Sequence, residues 1–170
     1  EEAIAHSNLN LEKEDMNRIG VIIGTGIGGI QTLENEHGVY IERGQRRVSP
    51  FFVPRFIPNI ASGNLAIKFG LKGPNHTIIS ACASGTDAIG CAARAIQYGD
   101  ADIMITGGSE ASITGLTISG FANIKALSTR NDSPQAASRP FDADRDGFVL
   151  GEGAAALVLE EMEHAIKRNA

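Results

Sequence analysis

The sequence has no apolar stretch close to the roughly 20 residues needed to cross a bilayer. Its first residues, Glu1 to His6, lack the basic and apolar regions of a signal peptide. Both absences point to a cytoplasmic protein without a membrane span. Cysteine is scarce: Cys82 and Cys91 are the only two, which excludes a secreted disulfide framework, and their spacing fits no metal-ligand pattern. Positive charge is also in deficit. A net charge of −5 excludes broad nucleic-acid binding, because the phosphate backbone would be repelled. The sole basic cluster is Arg43, Arg46 and Arg47. There is no internal repeat and no low-complexity linker.

What the sequence does contain is a chain of 170 residues, 42% hydrophobic, which can bury a real core. Its 20 glycines follow no collagen-like period and read as tight turns and close layer packing. Glu1 is not a methionine, and EEAIAH reads as the tail of a helix already under way, so residues are expected upstream. The charged helical run Glu160 to Ala170 has no compact stop signal, and the chain is expected to continue there as well.

Strand and helix signals alternate along the chain. Arg18 to Ile23 is a β-branched apolar run that leaves the sheet through Gly24, Gly26, Gly28 and Gly29, with a helix from about Ile30. Pro50, Pro54 and Pro58 bracket the aromatic segment SPFFVPRFIP, which predicts no regular helix before Asn59; Asn59 to Phe69 is then helical. His76 to Ser80 is a strand, Thr86 to Tyr98 a helix, and Ala101 to Thr106 a strand stopped by Gly107-Gly108. Gly120 to Leu127 reads as helix, Ser128 to Asp146 as polar loop, and Ala155 to Leu159 as a last strand. The alternation predicts a layered α/β protein.

Chemistry concentrates at Cys82, where an apolar strand ends and a small-residue helix begins. A helix N-terminus offers unpaired N–H groups and a positive dipole end, which stabilise negative charge on a nucleophile and on an oxyanion. Ala81, Ala83 and Gly85 leave room for a thioester, while Ser84 and Thr86 can satisfy the first helical donors. On this segment alone, Cys82 reads equally as an accessible nucleophile or as a small buried hydrophobe. Cys91, mid-helix among Ala88, Ala92 and Ala95, reads as core packing.

Two further patterns are lookalikes. Gly24, Gly26 and Gly29 have the G-x-G-x-x-G spacing of a dinucleotide loop, but Glu42 sits in a polar run and does not end a second apolar strand. Asp142, Asp144, Asp146 and Gly147 imitate a calcium loop, yet its twelfth position is Gly153. Arg139 and Arg145 in this acidic run suggest local ion pairs instead.

The run SACASGTDAIGCAARAIQYGDADIMITGGSEA, followed by GFANIKALSTRNDSPQAASRPFDADRDGFVLGEGAAALVLEE, resembles the β-ketoacyl-acyl carrier protein synthase II family. RIGVIIGTGIGG and RRVSPFFVPRFIPN resemble it upstream, in the same order. The Cys-x-Ser-Gly pattern is shared with thiolases, whereas RPFDADRDGFVLGEG is specific for ketosynthases. Ala155 stands where members often have glycine, and only a packing effect is expected. The resemblance implies a thiolase-like fold, an αβαβα layered sandwich when complete, with residues 1–170 as a partial N-terminal half-domain. It implies a 3-oxoacyl-[acyl-carrier-protein] synthase of type II fatty-acid synthesis. Cys82 would take the acyl group and a decarboxylated malonyl unit would attack the thioester.

It further implies that Ile27, Phe52, Ala81 and Phe121 line or gate the acyl pocket, although ordinary core packing would use the same residue types. Arg46, Arg47 and Lys125 would face the acidic acyl carrier protein. No cofactor is implied, and a homodimer formed through His76 to Ser80 is. The family's two decarboxylation histidines belong to a second half; His6, His37, His76 and His164 lie in other contexts, so the segment alone is expected to be inactive. The alternatives are a polyketide ketosynthase and a non-catalytic ketosynthase-like interaction subunit, which normally lacks the nucleophile.

Overall fold

A computed structural model describes all of residues 1–170. One four-stranded sheet runs in the order β2-β1-β3-β4, with β1 Ile19–Gly24, β2 Asn75–Ile78, β3 Ile103–Glu110 and β4 Gly153–Glu160. The first three strands are parallel and β4 is antiparallel to β3. Alternation along β1 explains the layering, since successive side chains of a strand point to opposite faces. Ile19, Val21 and Ile23 join Ile103, Ile105 and Leu71 on one face, against Leu65 and Ala66 of helix α4 (Ile60–Phe69). Ile22 and Met104 join Ala88 and Ala92 of helix α5 (Ser84–Gln97) on the other. The result is a helix–sheet–helix sandwich of mixed α/β type.

Remaining elements are helices α1 (Glu2–His6), α2 (Ile30–Arg43), α3 (Phe52–Phe56), α6 (Gly115–Asn123) and α7 (Met162–Lys167). The beginning and end of the chain are tied by one ionic cluster. The Arg168 guanidinium donates to both oxygens of Glu160 at 2.6 Å and to the carbonyls of Ser7 and Asn8, while His164 lies between Glu160 and Glu14. The Arg168 hydrogen bond holds the Glu160 carboxyl below its usual range, and Glu160 raises His164 above its own.

Four sequence expectations require correction. The proline segment is not free of helix: α3 occupies Phe52–Phe56, because Pro54 is in the first turn, where an N–H has no intrahelical acceptor to lose. Gly107-Gly108 does not stop β3, which runs to Glu110 paired with β4. A Cβ at Gly107 (φ +143) would overlap the Ala155 carbonyl, so Gly107 permits the close approach of the neighbouring strand β4. Helix α6 starts at Gly115, not Gly120, because the Thr114 side chain caps it by accepting from the Thr117 N–H, and it ends before Lys125 (φ +57). Cys91 is not a core residue: Ala88, Ala92 and Ala95 form the packed stripe of α5, and the Cys91 thiol is exposed on another face of the same helix.

Candidate active site

Helix α5 lies unusually close to the sheet. A Cβ at Gly24 would overlap the Ser84 carbonyl, and Gly108 and Gly85 meet backbone to backbone. This contact carries the start of α5 over the carboxyl ends of the parallel strands, where open α/β sheets place their ligands. The chain reaches it through a sharp turn. Ala81 adopts φ +52, a left-handed conformation that costs a non-glycine residue about 1 kcal/mol. Ser84 holds that turn, its hydroxyl donating to the Ala81 carbonyl at 2.7 Å and accepting from the Ser80 N–H at 2.9 Å.

Ser84 therefore braces the turn and does not cap the helix as the sequence suggested. Thr86 makes no capping bond either, so α5 has no side-chain cap. Cys82 sits at the apex of the turn, exposed, as an unpaired thiol. Its own N–H meets no acceptor within the chain, since neither the backbone nor the side-chain hydrogen bonds include it. An exposed thiol beside an unengaged amide and an uncapped helix start can attack a carbonyl carbon and stabilise the oxyanion that forms.

The thiol faces a cavity of about 540 Å³. Ile27, Ala81 and Phe121 share its wall with Cys82, as do the strand ends Gly24 and Gly108 to Glu110. Phe148 and Leu150 complete an apolar side; Phe148 packs edge-on against Phe121 at 5.2 Å. The GFVLGEG run marks the family without assigning its side chains to the pocket, although three consecutive apolar residues between Gly147 and Gly151 are the available signal. Glu34 of α2, also unassigned, accepts from the Leu116 N–H at 2.7 Å and so fixes the first turn of α6, which carries Phe121. Hydrogen bonding by Thr114 and by the Leu116 amide lowers the Glu34 carboxyl from its usual value.

Phe52 is not in the wall of this cavity. It stacks on Phe56 within α3, with ring centroids 5.5 Å apart. Arg46 and Arg47 occupy an exposed 3-10 turn after Gly44, and Lys125 lies just past the end of α6; none of the three forms an ion pair within the chain.

Both lookalikes are accounted for by internal contacts. In the G-x-G-x-x-G loop, the amides of Gly26 and Ile27 donate to the Glu110 carboxylate, so the chain's own side chain fills the place of a phosphate. In the calcium-like run, Asp146 accepts from the Ser128 hydroxyl and the Thr129 N–H, which lower its carboxyl to about 2. Arg139 and Arg145 donate to the carbonyls of Asp144 and Asp142, not to carboxylates; the ion pair in this region is Arg130 with Asp146 at 3.6 Å.

The sequence pattern of the family described as "Beta-ketoacyl synthase, N-terminal domain" matches residues 1–165. The chain belongs to that family. A relative from Vibrio cholerae, "3-oxoacyl-[acyl-carrier-protein] synthase 2", is 56% identical over 169 residues, which are 99% of this chain and 41% of the relative. The mitochondrial 3-oxoacyl-[acyl-carrier-protein] synthase of Arabidopsis thaliana is 52% identical over 95% of this chain and 35% of its own length. A solved structure described as a type II polyketide synthase acyl-carrier protein in complex with its ketosynthase bound to the hexaketide superposes with a TM-score of 0.92 at 36% identity, covering 98% of this chain and 42% of that one. The chain thus spans about two fifths of the length of the ketoacyl synthases it matches, and the helix–sheet–helix unit is the N-terminal part of a thiolase-like ketosynthase fold.

Proposed function

We propose that residues 1–170 form the nucleophile-bearing N-terminal domain of a 3-oxoacyl-[acyl-carrier-protein] synthase of type II fatty-acid synthesis, with Cys82 as the acyl acceptor. The observation that carries this reading is the junction of the exposed Cys82 thiol, its unengaged amide and a largely apolar cavity walled by Ile27, Ala81 and Phe121. The thiolate attacks the acyl thioester carried by acyl carrier protein, the carrier thiol leaves, and the acyl group is held as a Cys82 thioester in the cavity. A carbanion from decarboxylated malonyl-carrier protein then attacks that thioester, releasing Cys82 and a β-ketoacyl chain. Phe52 belongs to this reading as a gating residue outside the wall formed by this chain. The four histidines of this chain do not line the cavity, so decarboxylation is assigned to residues outside it.

Mass spectrometry of the intact enzyme after a single turnover with acyl-carrier protein tests the assignment. The acyl mass is expected on Cys82 and not on Cys91, although both thiols are exposed; acylation of Cys91 or of neither overturns it. Identity of 56% with a 3-oxoacyl-[acyl-carrier-protein] synthase 2, against 36% with a type II polyketide ketosynthase, favours the fatty-acid reading over the polyketide one. The presence of Cys82 counts against a non-catalytic interaction subunit. Two unpaired thiols suit a reducing compartment such as the cytoplasm.

The carrier protein would dock at Arg46, Arg47 and Lys125, whose charges have no partner in the chain. Reversing Arg46 and Arg47 to glutamate is expected to lower kcat/KM for acyl carrier protein about tenfold or more at low salt, with the loss shrinking at high salt. An unchanged rate at low ionic strength removes these residues from the docking site. A homodimer would form through the β2 side of the sheet. Strand β2 is an edge paired only with β1, and Ile79 just beyond it is 56% exposed. Sedimentation of the intact enzyme should show a dimer; an active monomer excludes this contact.

A further inference from the structure

The loop between β1 and α2 enters with the Thr25 N–H on the Ile78 carbonyl at 3.2 Å, and its crest is held by one carboxylate. Glu110, the last residue of β3, accepts from the N–H groups of Gly26 and Ile27 and from the Thr25 hydroxyl at 3.1 Å. The Thr25 oxygen accepts in turn from the Gly28 N–H at 3.2 Å. Three successive amides are thus committed, directly or through Thr25, to a single side chain. The far end of the loop is fixed separately, by the Gly29 N–H donating to the Phe56 carbonyl at 3.1 Å.

Ile27 stands at the crest of this loop. It lines the cavity of Cys82 and also a second, largely apolar pocket of about 350 Å³ formed with Ile30, Leu116, Gly120 and Ile124. Phe121 likewise borders both, so Ile27 and Phe121 form the partition between them. Phe121 is supported by the capped start of α6, whereas Ile27 belongs to a glycine-rich loop with no regular hydrogen bonding of its own. Its distance from Cys82 is therefore set by the carboxylate beneath it. We infer that Glu110 is a positioning residue that fixes the Ile27 partition and thereby determines how long an acyl chain the cavity accepts. The inference rests on the assignment of Cys82 as acyl acceptor.

A carboxylate can accept from all three donors, while an amide of the same shape offers one acceptor oxygen and turns an N–H₂ toward another N–H. Glu110→Gln thus preserves volume and breaks the restraint; Glu110→Asp retains the acceptor with shorter reach. The experiment measures kcat/KM of the intact enzyme with acyl carrier protein bearing saturated chains of increasing length. In Glu110→Gln, the ratio between the preferred chain and the first disfavoured longer one is expected to fall about tenfold, the scale on which a pocket discriminates by chain methylenes, and Glu110→Asp should recover part of it. If Glu110→Gln does not fold, Thr25→Val, which removes the relay to Gly28, reports the same ratio. A ratio unchanged in the folded variants, or a uniform loss at all lengths accompanied by a lower melting temperature, overturns the inference. Absence of an acyl thioester on Cys82 in the wild-type enzyme overturns the reading beneath it, and is seen before any variant is made.

Discussion

Cys82→Ala in the intact enzyme is expected to lower condensation by about three orders of magnitude or more, because no second group in the cavity can carry the acyl chain covalently. The other lining residues offer hydroxyls and the Glu110 carboxylate, which is already engaged by Gly26, Ile27 and Thr25. Cys82→Ser should be nearly as impaired, since an alkoxide is far less available than a thiolate near neutral pH. Cys91→Ala provides the control: its thiol lies outside the cavity, and turnover should stay within about twofold of wild type, as is usual for surface substitutions. Steady-state rates with acyl and malonyl carrier protein check all three. Substantial condensation by Cys82→Ala would remove the covalent mechanism.

Gly24→Ala is expected to be among the most damaging single methyl groups in the sheet. At this position the new Cβ would overlap the Ser84 carbonyl and come within 2.7 Å of the Gly85 nitrogen. Both are backbone atoms, so no side chain can rotate away, and strand β1 must separate from α5. The cost should be about 3 kcal/mol or more, at the severe end of overpacking effects. The same shift would move the turn that holds Cys82, so activity should fall beyond the loss of folded protein. Gly38→Ala, within α2 and with nothing near the added Cβ, should instead stabilise by about 0.5–1 kcal/mol through helix propensity and a less flexible unfolded chain. Denaturant unfolding of both variants tests the contrast. A Gly24→Ala protein as stable as wild type would show that α5 does not depend on this close approach.

The elements read from the sequence were those governed by short-range rules. A β-branched run before glycines gave β1, and the alanine stripe with Gly99 at its end gave α5, because side-chain period and backbone permissiveness are local properties. The structure departs from those rules where a residue's place within its own element, or a partner far along the chain, sets the outcome. Gly107 and Gly108 look like a strand stop until their neighbours are in place: the missing side chain of Gly107 lets β4 pair, and that of Gly108 lets α5 approach at Gly85. Pro54 looks like a helix breaker until its place in the first turn is known. Cys91 looks like core until the packed face of α5 is seen to be Ala88 and Ala92.

The candidate site divides in the same way. The sequence by itself determined that a cysteine stands at a strand-to-helix junction among small residues, and its motifs were specific enough to indicate the ketosynthase family. Those features are contiguous, and their chemistry follows from adjacency. Only the tertiary structure decided that Ile27, Phe121 and Phe148 meet around Cys82, that Ser84 braces the turn rather than capping the helix, and that Glu110 reaches back across 84 residues to the glycine loop. Such contacts depend on strand order and on how closely helix and sheet approach. Those are set by the packing of the whole domain, not by any local run of residues.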